Sequence, residues 1–245
     1  MEVDMVIVVF GANGQTGRLL TRHALTAGHR VIAATRHPAD FPLRGPDLTV
    51  AGVDVREAAA VAEVVADADA VLSTLGVSFT RQPVGTYSVG TSNIVAGMRS
   101  AGVRRLAVVS STATYPTRRR RFPVALRLLE PIIAGTIGKT VYDDMRRMET
   151  LVHSSGLDWT IVRPSGLFDL AEPTDYHAGE IDPIGGFTAR IDLAHYLLAL
   201  AGDQATVGKT VVVSTTEHTP TVWQMVRREA APKPGAHPSR TAPSP

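Results

Sequence analysis

Val6-Ile-Val-Val-Phe10 runs directly into Gly11-Ala-Asn-Gly14-Gln-Thr-Gly17, and a helical pattern (Arg18, Leu19, Leu20, Ala24, Leu25) begins at once. An apolar, β-branched run that stops at three glycines spaced three apart predicts strand, tight turn and helix in that order. This is the setting in which a glycine-rich loop holds a dinucleotide pyrophosphate. Gly11 is expected to permit the turn, Gly14 to let phosphate oxygens approach bare backbone, and Gly17 to let the helix pack closely on the sheet. Asn13, Gln15 and Thr16 lie between them, beside N–H groups that the first helical turn leaves unpaired. The spacing is G-x-x-G-x-x-G rather than G-x-G-x-x-G.

Outward from that turn, strand-like and helix-like segments alternate. Strands are expected at 29–35, 48–52, 70–74, 105–110, 159–163 and 210–214. Helices are expected at 56–66, 86–100 and 191–201, with Met145, Met148 and Val152 marking another. The fold class is therefore α/β: a doubly wound, mainly parallel, Rossmann-like sheet with helices on both faces, in one domain over residues 1–230. Two stretches break the alternation. Residues 116–138 contain Arg118–Arg121 and an apolar run, and residues 170–186 read as loop; both are expected to wall the substrate cleft. Trp223 and Met225 suggest a helix docked on the domain, and the Pro-, Ala- and Ser-rich residues 231–245 a disordered tail.

At 245 residues, 44% apolar and 20% charged, the chain can bury one substantial core. A formal charge of +2 gives no case for a general polyanion binder, and basic residues without interleaved aromatics argue against nucleic acid. The Arg118–Arg121 run reads as a solvated loop. No cysteine is present, which excludes disulfides and thiolate chemistry and fits a cytoplasmic protein. The first apolar run is too short to span a membrane and no cationic segment precedes it, so it reads as a buried strand. The eight histidines show no HxH or HxxxH pair, and no metal is expected. His23 and His29 read as surface or capping residues.

Cofactor choice is normally made at the end of the second strand. Thr35-Arg36-His37 places a guanidinium where NAD-binding chains carry a carboxylate, which points to the 2′-phosphate of NADP(H). Asp54, in Asp54-Val55 after the third strand, is placed to accept from an adenine amino group. Thr74-Leu75-Gly76 closes the fourth strand where a nicotinamide ribose would pass, and Ser110 and Ser111 close the fifth.

Gly11–Gly17, Thr35-Arg36, Ser110-Ser111-Thr112, Asp144–Glu149 and Ser155–Leu167, with Thr160-Ile-Val-Arg-Pro164 inside it, resemble an atypical short-chain dehydrogenase/reductase. The similarity is to the NAD(P)H-binding group that includes NmrA-like proteins and biliverdin reductase B/flavin reductase, and runs from about Met5 to about Ser214. It implies a Rossmann-like fold and a dinucleotide. Pro164 would border the nicotinamide. Short-chain dehydrogenases use a Ser and a Tyr-x-x-x-Lys; here Ser111 and Tyr142 are the candidates, with Arg146 where the Lys would stand and Tyr115 as a rival donor. Arg163 reads as a structural arginine paired with a carboxylate. The leading expectation is an NADP(H)-dependent oxidoreductase acting on a small conjugated carbonyl, quinone or flavin-type substrate. A non-catalytic NmrA-like redox sensor and a non-redox enzyme on the same fold are the alternatives. The oligomeric state is left open.

Overall fold

The computed structural model describes residues 4–115 and 138–221. The Arg118–Arg121 run, the Trp223 and Met225 segment and the 231–245 tail lie outside the described residues.

The strands are β1 (Val6–Phe10), β2 (Arg30–Thr35), β3 (Leu48–Gly52), β4 (Ala70–Ser73), β5 (Arg105–Val109), β6 (Asp158–Pro164), β7 (Gly166–Phe168), β8 (His177–Gly179), β9 (Phe187–Ala189) and β10 (Lys209–Ser214). The helices are α1 (Gln15–Thr26), α2 (Ala58–Val65), α3 (Thr86–Ala101), α4 (Lys139–His153) and α5 (Arg190–Leu200). Eight strands form one sheet in the order β3-β2-β1-β4-β5-β6-β10-β8, parallel except for β8, which runs antiparallel to β10.

The side chains of β1 alternate between two cores, as strand geometry requires. Ile7 and Val9 join Leu20 and Ala24 of α1 and Leu193 and Leu197 of α5 on one face. Val8 and Phe10 join Val61 of α2, Ile94 and Met98 of α3 and Met148 of α4 on the other. Burial on both faces explains why the strands read as near-continuous apolar runs rather than alternating ones.

The structure corrects the sequence reading in four places. Residues 170–186 are not simply loop. They contain the edge strand β8, and Thr174 donates from its backbone N (2.9 Å) and its hydroxyl (2.8 Å) to the buried Asp192. A separate parallel pair, β7 with β9, follows the Arg163-Pro164 segment and was invisible to periodicity because each strand has only three residues. His29 is buried rather than at the surface. The predicted helix at 56–66 begins only at Ala58, because Arg56 is drawn back onto Asp54.

Candidate functional site

The strands β1 to β6 are parallel, so their C-terminal ends share one rim. β2 and β3 lie to one side of β1, and β4, β5 and β6 to the other. α1, which follows β1, and α3, which follows β4, pack on opposite faces of the sheet. The crevice between them is the switch point where open α/β sheets hold ligands.

Gly11 closes β1 with φ +74°, and a Cβ there would stand 2.7 Å from the Thr74 carbonyl oxygen. Thr74 ties the two strand ends together: its N–H donates to the Phe10 carbonyl (2.9 Å) and its hydroxyl to the same oxygen (3.0 Å). Gly17 has a different job from the one expected. A Cβ at Gly17 would lie 2.3 Å from the Gly11 carbonyl oxygen and 2.8 Å from the Ala12 Cα, so this glycine lets the loop fold back on the helix rather than the helix on the sheet. Gly14 is the open position, with only the Gly11 oxygen near a Cβ, at 3.2 Å. It caps α1 without a side-chain hydrogen bond, and the first turn (Gln15, Thr16, Gly17) carries no acidic residue. Bare backbone at Gly14 and a helix N-terminus with no side-chain cap are complementary to an anion such as a pyrophosphate.

At the β2 end, Thr35 is buried and its hydroxyl accepts from the His37 N–H at 3.2 Å. Arg36 is exposed and makes no hydrogen bond or ion pair with any described residue. Asp54 accepts from the Arg56 backbone N (3.0 Å), Nε (3.1 Å) and Nη2 (2.6 Å). Those bonds, with a smaller contribution from the charge of Arg36, hold its carboxyl down at about 2. The Asp54 carboxylate is thus already paired. Val55 is buried, and its carbonyl accepts from Asn93 Nδ2 at 3.0 Å.

Past β4, Leu75 packs on the core while Gly76 faces open space, its nearest neighbour to a Cβ being the Thr74 oxygen at 4.0 Å. The next turn is fixed by Tyr87, whose buried phenol accepts from the Val77 N–H at 3.2 Å. Burial pushes that phenol up from its ordinary value. These residues fit a dinucleotide stretched along the rim, with bare backbone at Gly14 and Gly76.

The β5–β6 end is built differently. Ser110 is buried and shares a 3.2 Å hydrogen bond with Thr114. Ser111 caps a short helical turn, its Oγ accepting from the Ala113 N–H at 3.1 Å, so its own proton is left to donate. Pro164 is buried at the end of β6. Tyr142 is half-buried on α4, its ring 5.9 Å from that of Phe79. Arg146 donates to the Thr114 carbonyl (2.6 Å) and pairs with Asp143, which Lys139 also holds at 2.8 Å. Arg163 forms a two-point pair with the fully buried Glu149 and stands 4.6 Å over the Tyr115 ring, so it is structural. Asp144, also fully buried, accepts from Tyr87 N (2.9 Å) and the Ser88 hydroxyl at the start of α3.

Among these, the Arg146 tether and the Asp144 cap escaped the sequence reading, as did Arg18, whose guanidinium donates to Asn13 Oδ1 in the glycine loop. Only Arg18 carried a signal, as a cation directly after the third glycine. The described residues contain no cluster of three His, Cys, Asp or Glu able to hold a metal ion, and no described helix is long and apolar enough to cross a membrane.

A parallel sheet in this order, with a glycine loop at its switch point, defines a Rossmann-type dinucleotide-binding protein. The chain belongs to the NAD(P)H-binding family, whose family model matches residues 11–204. It is 27% identical over 214 residues to a UPF0659 protein of Schizosaccharomyces pombe, covering 82% of this chain and 86% of that one. Among solved structures it is similar to a short-chain dehydrogenase/reductase from Veillonella parvula DSM 2008 in complex with NADP, at 18% identity and a TM-score of 0.70, covering 88% of this chain and 96% of that one. It is also similar to ChuY, an anaerobillin reductase from Escherichia coli O157:H7, at 21% identity and a TM-score of 0.67, covering 88% and 100%. At such identities the structural likeness is one of fold.

Proposed function

We propose that the protein is an NADP(H)-dependent oxidoreductase that passes hydride between the nicotinamide and a small or medium conjugated carbonyl, quinone or flavin-type substrate. The observation that carries the NADP(H) preference is the pairing at the β2–β3 end. Arg36 stands without a partner among the described residues, while Asp54 is already held by Arg56. A 2′-phosphate would meet a free guanidinium there, with the Asp54 carboxylate already engaged by Arg56. The bound dinucleotide supplies the hydride, and the chain supplies orientation and a hydrogen-bond donor.

Gly11, Gly14, Gln15, Thr16 and Gly17 receive the pyrophosphate, Asn13, Thr35 and Arg36 the adenosine ribose end, and Asp54 and Val55 border the adenine. Thr74, Leu75, Gly76, Ser110 and Pro164 flank the nicotinamide half. Ser111 donates to the acceptor oxygen, since its lone pair is engaged by Ala113 and its proton is not. Tyr142 lines the same end. Its place in a Tyr-Lys pair is taken up differently here, because Arg146 bonds to Thr114 and Asp143. That same observation favours a second reading, a redox sensor that binds NADP(H) without turnover.

The test is NADPH oxidation, followed by nicotinamide absorbance, against a panel of quinones, flavins and enones. Turnover supports the oxidoreductase, and binding without turnover on any acceptor supports the sensor. With turnover in hand, Ser111→Ala is expected to lower kcat by at least about tenfold and Tyr142→Phe by less than about threefold. The reverse order would make Tyr142 the donor.

A further inference from the structure

Arg18 sits in the first turn of α1 and donates through both Nε (2.9 Å) and Nη2 (2.7 Å) to a single atom, Asn13 Oδ1. That carbonyl oxygen is saturated, which leaves the Asn13 amide two N–H donors with no acceptor among the described residues. Arg18 forms no ion pair with a described residue, and its charge stays uncompensated beneath the loop. The loop also leans toward β2: the Ala12 N–H donates to the Ala34 carbonyl at 3.4 Å, one residue before Thr35 and two before Arg36. Asn13 therefore directly follows the point where the loop is tied to β2, the strand from whose end Arg36 extends.

We infer that Arg18 is a positioning residue for cofactor selection. It locks Asn13 as a pure hydrogen-bond donor and, together with Arg36, makes this rim select a dinucleotide bearing a 2′-phosphate. This rests on the NADP(H) preference proposed above. A freely rotating Asn13 could present its carbonyl as readily as its amide, and a carbonyl facing a phosphate oxygen repels it. Two guanidinium N–H bonds to Oδ1 remove that alternative.

The test is a fluorescence titration of the full chain with NADPH and with NADH, for the wild type, Arg18→Met, Asn13→Ala and the double variant. Arg18→Met keeps the apolar stem and loses every donor. NADPH binding is expected to weaken about tenfold in each single variant and no further in the double, while NADH binding changes by less than about twofold. Displacement of NADPH by 2′-AMP should weaken in parallel, and displacement by 5′-AMP should not. Equal weakening of NADPH and NADH, no change in either, or an additive double variant would overturn the role of Arg18. Arg18→Lys covers a folding defect, because it retains one donor and is expected to recover part of the NADPH preference at unchanged thermal stability. If the wild type shows no preference for NADPH, the NADP(H) reading fails and the Arg18 role falls with it. A wild-type preference that survives in Arg18→Met sinks the Arg18 role alone.

Discussion

At the β1–β3 end of the crevice several donors are left without an internal partner among the described residues, whereas at the β5–β6 end the arginines and Ser110 are spent on their neighbours. The α1 N-terminus has no side-chain cap, the Asn13 amide is free to donate and Arg36 is unpaired among the described residues. Across the crevice, Arg146 is tied to Thr114 and Asp143, Arg163 to Glu149, and Ser110 to Thr114. The first end is arranged to receive a charged ligand. The second is a hydrogen-bonded wall at which Ser111 keeps a proton to donate. Dinucleotide binding is therefore written into the chain more strongly than any particular reaction.

The sharpest way to break this contrast is Gly17→Val. The new Cβ would fall 2.3 Å from the Gly11 carbonyl, and backbone must move to clear it. Nucleotide affinity is expected to drop more than about a hundredfold in a fluorescence titration, since the loop can no longer fold against the helix. Unchanged affinity would mean the loop is not the binding element.

On the other side, Glu149→Ala leaves the Arg163 guanidinium partly buried and unpaired. Urea unfolding is expected to show a loss of about 3 kcal/mol, with nucleotide affinity little changed. A large fall in affinity instead would merge the two regions that the structure keeps apart.

A smaller effect separates NADP from NAD. Arg36→Leu is expected to weaken NADPH binding about tenfold and NADH binding hardly at all.

Smaller still is a pH effect that belongs to the ligand. The second ionisation of a phosphomonoester lies near pH ~6, so on acidification from about pH 8 to about pH 5 a 2′-phosphate loses one charge opposite Arg36. NADPH affinity should fall about fivefold over that range and NADH affinity should not. Asp54 does not contribute there. Its carboxyl is depressed to about 2, so it stays ionised throughout and its pairing with Arg56 is lost only as pH falls through that value.

Much of the nucleotide end was legible because it is made by backbone requirements. Only glycine tolerates φ +74° at a position where a Cβ would meet the Thr74 carbonyl, so Gly11 announces itself. Buried parallel strands announce themselves as apolar runs. The reason for Gly17 was misread because a glycine reveals that space is short, not which atoms occupy it. The β5–β6 end was legible only as candidates. Arg146 stands one helical turn from Tyr142 in sequence, yet its bonds run to Thr114, 32 residues away in the chain. A three-residue strand such as β7 has too few positions to show a period. Side-chain pairing across the fold leaves no local trace, which is why Arg18, separated from Asn13 by only five residues, was the one missed residue with a visible signal.

The most direct measurement is the equilibrium binding of NADPH and NADH to the unmodified protein, followed by nicotinamide fluorescence. Saturable binding of both, with NADPH tighter by about tenfold or more, is the expected result. Failure of either nucleotide to bind would contradict the assignment of the Gly11–Gly17 loop as a dinucleotide cradle.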